Sequence, residues 1–462
     1  MSSLFRRKSF TQTNIPLGLK RSMGRWTLLC FSTGSIIGSG IFVILGAAIE
    51  KAGPAVLISF AVAALAALLS ALSYAELASK IPSSGSSYSY AYVTLGEIVA
   101  WSVGWMLMLE YGVAVAAVAV GWGEYLNVLL ASVNMAIPPD FANPPGQGGV
   151  FNVPAFIVVV ACGLLLIRGA SESAMINTLM VFLKIVVLIF FCCVAATAFD
   201  ANKLTPFAPL GVAGIVAAAG QVFFSYIGFD AASTAAEEAH DPQRDLPFAI
   251  VGSVLLVTIL YLLVALAAVG TYGWEGFASK GAEAALASVA NSAVGGTWAG
   301  NIIALGAVVS IFSVVLVVMY GQTRILMAMA RDGLLPKIFA KVHARTQTPV
   351  TNTLIVTLLI ALPAALVPMG QLAEATSIGT LGAFAVVNVG VMVLRRQRSG
   401  TQAGFRMPLY PLIPLLALVL IAVILAGLDT ATWLAFLVWM TLGMVFYFAY
   451  SRRHSELNNH HD

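Results

Sequence analysis

Charge is what this sequence has least of. Aspartate, glutamate, lysine and arginine make up 10% of its 462 residues and hydrophobic residues 60%, whereas soluble domains carry roughly 25% charged residues. The balance excludes a soluble globular protein. Cysteine is also scarce: Cys30, Cys162, Cys192 and Cys193 all sit inside apolar segments, where they read as small core residues and offer no loop-borne disulfide framework or thiolate metal site. The histidines, His240, His343, His454, His460 and His461, fall in loops or the tail. No His, Cys and carboxylate cluster suits a metal, and no nucleophile–base signature is present, so neither an enzyme nor a cofactor is expected. The net charge of +4 gives no sign of nucleic acid. A row of polar residues lining an open pore is missing as well, which argues against a channel.

What is present is a series of apolar segments near 20 residues, the length that spans roughly 30 Å of hydrocarbon as helix. Twelve are expected, at 25–48, 54–78, 96–131, 152–167, 173–198, 211–236, 247–270, 297–330, 350–368, 371–394, 409–427 and 430–450. The fold class is an all-α integral membrane protein. The polar, basic stretch before Arg25 and the length of the first apolar segment argue against a cleaved signal peptide. Twelve spans put both termini on one side. If that side is the cytoplasm, 20 of the 24 basic residues lie inside and only Lys51, Lys203 and Lys280 outside, as the positive-inside rule requires. A multi-pass protein of the cell membrane with cytoplasmic termini is therefore expected, its surroundings the lipid bilayer.

The first span is interrupted. Gly34-Ser35-Ile36-Ile37-Gly38-Ser39-Gly40 places three glycines in seven residues, each weakening a helix by about 1 kcal/mol relative to alanine. Irregular backbone at membrane depth is tolerated only where protein buries it or it lines a cavity. The stretch is either a small-residue packing site or a binding site made from main chain. A second interruption, Phe224-Ser225-Tyr226-Ile227-Gly228-Phe229-Asp230, lies five spans downstream. Paired breaks at corresponding places point to inverted repeats with substrate bound between them. The organisation expected is a basic segment 1–24, five-helix repeats at 25–198 and 211–394, two further helices at 409–450 and a tail at 451–462. In such a site the N–H groups of Ser39, Gly40 and Ile41 hold a carboxylate at a half-helix start. Carbonyls near Ile36, with those of Phe224, Ser225 and Ile227, hold an ammonium. An α-amino acid carries both charges on one carbon.

Three charged residues lie deep in spans. Lys184 is roughly ten residues from either end of its segment, too far to reach an interface easily, and an intramembrane lysine faces the protein interior by default. Held there, it can exchange a proton near neutral pH. Glu110 and Asp230 are equally deep; each is either a structural anchor or a counter-charge. Glu76, at the inner end of the second span, reads as a gate or capping residue.

Together these stretches resemble the amino acid–polyamine–organocation superfamily of permeases, and within it the bacterial relatives of cationic amino acid transporters. The resemblance runs through Gly34–Phe42, Tyr74–Leu77, Pro82–Ser86, Lys184, Tyr226–Glu238 and Gly321–Pro336, in order along the chain. It implies the five-plus-five fold shared with the bacterial leucine transporter, with spans 11 and 12 appended and substrate held by Ile36, Gly38, Ser39, Gly40, Ile41, Phe224, Ser225, Ile227 and Asp230. It also implies that Lys184 stands at a sodium site of other relatives and contacts span one near Gly34, the coupling ion being a proton. Ile311 and Phe312 would face the side-chain pocket, with Glu110 as pocket or counter-charge. Their bulk points to a small neutral amino acid ahead of a cationic one. Proton symport is the reading adopted, with amino acid exchange and a non-transporting sensor as alternatives. Nothing in the sequence indicates an accessory subunit.

Overall fold

A computed structural model describes residues 5–8, 23–38, 40–81, 83, 85–168, 174–280, 284–343, 348–397 and 404–458, with backbone alone for 174–177, 237, 278–280 and 458. Among these residues every regular element is a helix, and the only β contact is an isolated bridge between Met23 and Ala239. Eight helices are long and apolar enough to cross a membrane, and shorter apolar helices accompany them. The chain is a multi-pass helical membrane protein.

The first apolar segment is two helices, α1 (Arg25–Ile36) and α2 (Leu45–Ala52), with no helix between them. A turn at Gly53, Pro54 and Ala55 leads into α3 (Val56–Lys80). The connection that follows contains a helix the hydropathy pattern does not announce, α4 (Ser86–Thr94), whose nine residues are all buried. Its serines and tyrosines produce no apolar stripe, and hydroxyl bonds to neighbouring helices hold it instead. Then come α5 (Glu97–Ser132), α6 (Val153–Ile167) and α7 (Ala174–Ala196). The start of α6 follows from its sequence: Asn152 caps the N–H of Ala155, and Pro154 occupies the first turn, where a missing N–H costs nothing.

The second interrupted segment is α8 (Gly211–Phe223), a 3₁₀ turn at Phe224–Tyr226, an irregular stretch, and a single helical turn at Ala231–Thr234. It is followed by α9 (Pro242–Tyr272), which begins earlier than its apolar run because Pro242 sits favourably in a first turn. In the connection after α9, which reads as a loop in the sequence, α10 (Ala285–Val294) is largely buried. The remaining long helices are α11 (Trp298–Arg331), α12 (Val350–Leu366), α13 (Met369–Gln397), α14 (Leu412–Ala426) and α15 (Thr430–Phe446).

At 36 residues, α5 is about 54 Å long at 1.5 Å per residue, more than a bilayer core needs, and it packs along both α11 and α13. α3 and α1 pack along α9. α15 is fastened to α5 by a reciprocal tryptophan pair: Trp105 donates to the Trp439 carbonyl at 2.8 Å, Trp439 to the Trp105 carbonyl at 3.0 Å, and the rings stack at 4.7 Å. Both described ends of the chain meet at Glu97, whose carboxylate faces Arg6 at 3.6 Å and accepts from Ser455 at 2.6 Å. This end of the bundle is called the terminal end below.

Candidate functional site

The two interruptions cross each other at the centre of the molecule. A Cβ on Gly40 would overlap the backbone and side chain of Ser225. On the other side of the crossing, Gly228 has φ +109° and lies against the Ser35 main chain, with 2.8 Å from a built Cβ to the Ser35 carbonyl oxygen. Ser32 strengthens the junction by donating to the Phe229 carbonyl at 3.2 Å. Small residues are thus required for backbones to approach. The same approach leaves main-chain groups open: the N–H groups of Gly38, Gly40 and Ile41 have no acceptor among the described residues. Ser39 lies outside the described residues. Ser225, fully buried, has a hydroxyl without a partner among the described residues.

Three carbonyls at or beside the first break are in use. Ile36, expected to offer its oxygen to an ammonium, accepts from the Tyr261 hydroxyl of α9 at 3.0 Å. Phe42 accepts from Tyr125 of α5 at 2.7 Å. Gly34 accepts from the Lys184 ammonium at 2.9 Å. Lys184 is 1% exposed, so its side chain does not run out to an interface. Its Nζ also stands 3.6 Å from a built Cβ on Gly38. Gly34 belongs to the last turn of α1, and the negative end of a helix dipole is where a cation is favoured. One ammonium therefore touches the part of α1 that gives way to irregular backbone.

The wall opposite Gly38 is α11. Val314 Cγ2 comes within 2.8 Å of a Cβ built on Gly38, whose φ is +125°. Ile311, one turn earlier on the same face, is fully buried, whereas Phe312 is only partly so. The Ser310 hydroxyl, also buried, has no partner among the described residues. Phe224 and Ile227 are buried in the second break.

Asp230 and Glu110 come together in a second cluster. Asp230 accepts from Ser86 at 3.2 Å and from Tyr111 at 3.5 Å, and its other oxygen has no partner among the described residues. Glu110 is close enough to Asp230 to interact electrostatically and has the Thr380 hydroxyl of α13 beside it, but neither of its oxygens meets a partner among the described residues at full hydrogen-bond geometry. Aromatic rings close over them: Tyr74 packs edge-on against Phe229, Phe384 and Tyr90. The hydroxyls of Tyr74, Ser87 and Tyr90 also lack partners there. So many open polar groups in one buried place mark a chamber suited to water, protons or a polar ligand, since an unpartnered buried polar group is otherwise costly.

Sequence reasoning missed Tyr261, Tyr125, Val314 and the α4 hydroxyls. Val314 is within reach of the sequence, because i and i+3 share a helix face and Ile311 is a candidate pocket residue. The others are lone hydroxyls in segments whose apolar pattern says nothing about which carbonyl they meet.

Comparison with known proteins identifies the family. A family model described as amino acid permease matches residues 23–448. The branched-chain amino acid permease BcaP of Bacillus subtilis (strain 168) is 44% identical over 464 residues, covering 99% of each chain. The methylthioribose transporter of the same organism is 40% identical, covering 99% of this chain and all of that one (100%). Cationic amino acid transporter 4, vacuolar, of Arabidopsis thaliana is 36% identical, covering 86% of this chain and 67% of its own length. The chain belongs to the amino acid permease family and is a transporter, not an enzyme.

Proposed function

We propose that this permease imports a neutral amino acid across the plasma membrane by proton symport, through alternating access in a twelve-span, five-plus-five fold with cytoplasmic termini. The observation that carries the reading is the bond from Lys184 to the Gly34 carbonyl at the end of α1. The open N–H groups at Gly38, Gly40 and Ile41 receive the carboxylate, joined by Ser39. The ammonium is received by carbonyls of the second break, Phe224, Ser225 and Ile227, beside the Ile36 oxygen that Tyr261 also meets. Protonated Lys184 grips α1; loss of the proton releases that grip, so proton and substrate act on the same helix. Asp230 and Glu110 supply a counter-charge in the adjoining chamber.

Val314 against Gly38, with buried Ile311 one turn earlier on α11, favours a neutral, compact side chain, and the relatives named branched-chain amino acid permease are consistent with an aliphatic one. Uptake by proteoliposomes with an imposed pH gradient tests the coupling. Acceleration of uptake by an inward proton gradient, acidic outside, supports symport; substrate-for-substrate counterflow indifferent to the gradient would replace it with exchange. A second reading is favoured by the relative named methylthioribose transporter, in which the cargo lacks the amino acid backbone. A thermal-shift screen of purified protein against all amino acids and methylthioribose separates the two.

A further inference from the structure

The far end of the bundle, opposite the terminal end, carries one buried carboxylate with several partners. Glu374, in the first turns of α13, is 4% exposed. Its Oε1 accepts from Lys51 at the end of α2 at 2.8 Å and from Gln221 of α8 at 3.3 Å. Its Oε2 accepts from the Thr432 hydroxyl at 2.9 Å and the Asp429 N–H at 3.4 Å, at the start of α15. One oxygen thus holds the two interrupted segments, the first after its break at Lys51 and the second just before its break at Gln221, while the other is moored to the turn between α14 and α15.

The other end of α13 is held differently. Arg395 forms a two-pronged pair with Glu76 of α3, Nε at 2.8 Å and Nη2 at 2.5 Å, and Glu76 also accepts from Lys80 at 2.6 Å and the Met407 N–H at 2.9 Å. One helical turn along the same face of α3 comes Ser73, donating to Asn388 at 2.7 Å, and another turn along Ser70, accepting from it at 3.1 Å. Arg395 closes the knot by donating to the Met407 carbonyl at 2.9 Å and lying 4.3 Å over the Tyr410 ring. Glu76 is fully buried (0%), whereas the Lys51 side chain is 32% exposed. Breaking the Glu76 knot would strand a fully buried carboxylate, a strongly destabilising event; at Glu374 the lysine already touches water, and Thr432 and the Asp429 N–H still serve the carboxylate when it leaves. Between the two ends α13 crosses α5 on Gly379 and Gly382, with the Met106 carbonyl and sulfur 3.3 and 2.9 Å from the built Cβ positions.

We propose that α13 is a strut with a fixed end and a releasable end: Glu76–Arg395 fastens it to α3, and Glu374 latches it to both interrupted segments, so that release of the Glu374 latch opens the far side of the bundle. This assigns a task to the last two helices, which moor the latch without lining the crossing. The proposal goes beyond the transport reading, and its test needs no substrate, so a wrong cargo would leave the test intact.

The test uses the full-length protein in liposomes with its native cysteines replaced and one of two reporters added. Ala218→Cys sits on α8 near Gln221, and Ala78→Cys on α3 near Glu76; both alanines are fully buried (0%). Labelling by a membrane-impermeant thiol reagent is timed. Glu374→Gln, and separately Lys51→Gln, should speed labelling at 218 by roughly 5-fold, the effect of losing an interaction of ordinary strength, and leave 78 within twofold of the parent. Equal acceleration at both reporters would mean general loosening and overturn the latch. So would an unchanged rate at 218 in both variants. Glu76→Gln should leave labelling at 218 slow; if it matches Glu374→Gln, the division into fixed and releasable ends is wrong.

Discussion

Gly40 and Ser225 touch so closely that one methyl group on the glycine would overlap Ser225 Cα, Cβ and Oγ. This contact settles which residues can stand at the crossing, because packed interiors accept an extra carbon only by shifting neighbours, at about 1–3 kcal/mol. Gly40→Ala should therefore lower the melting temperature of the purified protein by several degrees and depress uptake. Adding Ser225→Gly removes the Cβ and Oγ overlap but not the one with Cα, so the double variant should recover only part of the loss. Full recovery would show that the backbones can separate, contrary to the geometry described.

Lys184 and Gly34 supply the second expectation. Replacing Lys184 with methionine keeps an unbranched side chain of similar length and removes the ammonium that reaches the Gly34 carbonyl. Wild-type uptake should fall as external pH rises from 5 to 8, whereas Lys184→Met should give a flat and low profile with protein still present in the membrane. A variant that retains the wild-type pH dependence would detach proton coupling from this residue.

These two contacts show how much could be read from the chain alone. Glycine spacing located the first interruption, because a helix former is missing where a lipid-facing helix would demand one, and the second showed by Gly228 among polar residues five spans on. Lys184 was conspicuous for the same reason: it is the one basic residue in mid-membrane. What could not be read was partnership. Tyr261 gives no sign in α9 that its hydroxyl meets the Ile36 carbonyl, since that depends on the angle at which two helices cross. α4 stayed hidden because it is held by hydroxyl bonds and burial from all sides, which leave no periodic stripe in so short a segment.

Val314 yields a prediction about selectivity. Its Cγ2 stands where a side chain on Gly38 would go, so it limits the space beside the first break. Val314→Ala should open that space: thermal-shift responses to larger amino acids should rise and those to alanine or glycine fall by several-fold in apparent affinity. Val314→Phe should abolish the response to all of them. Identical ligand rankings in the three proteins would place the side-chain pocket elsewhere.

Glu110 is a carboxyl that meets no partner among the described residues at full hydrogen-bond geometry, beside the equally buried Asp230. A buried group that no neighbour satisfies contributes nothing to folding as an anchor. Glu110→Gln should consequently leave the melting temperature within a few degrees of wild type or raise it, while slowing transport if the chamber carries protons or counter-charge. A large loss of stability would instead reveal Glu110 as a structural anchor and remove it from the transport reading.

The N-terminal segment gives the last expectation. Gly96 has φ +107°, and a Cβ there would stand 2.8–2.9 Å from the Phe5 backbone. Beside it the Glu97 N–H donates to the Arg6 carbonyl at 2.8 Å, and Lys8 pairs with Asp332 at 2.6 Å. Asp332 also accepts from Tyr88 of α4 at 2.6 Å, and α4 reaches Asp230 through Ser86. The segment is thus joined to the second break by a continuous run of hydrogen bonds at the terminal end. Gly96→Ala introduces both a strained φ and a clash with Phe5, so the segment should detach while the helices stay folded. Cleavage by trypsin after Arg6, Arg7 or Lys8 should then quicken by about tenfold, since a lost contact worth about 1.4 kcal/mol shifts an opening equilibrium by that factor. Asp332→Asn weakens the Lys8 pair but leaves the Phe5 and Arg6 contacts intact, and its effect should be smaller. If the two variants are cleaved at the wild-type rate, the segment is not held by these contacts, and the hydrogen-bonded run to Asp230 ends at α4.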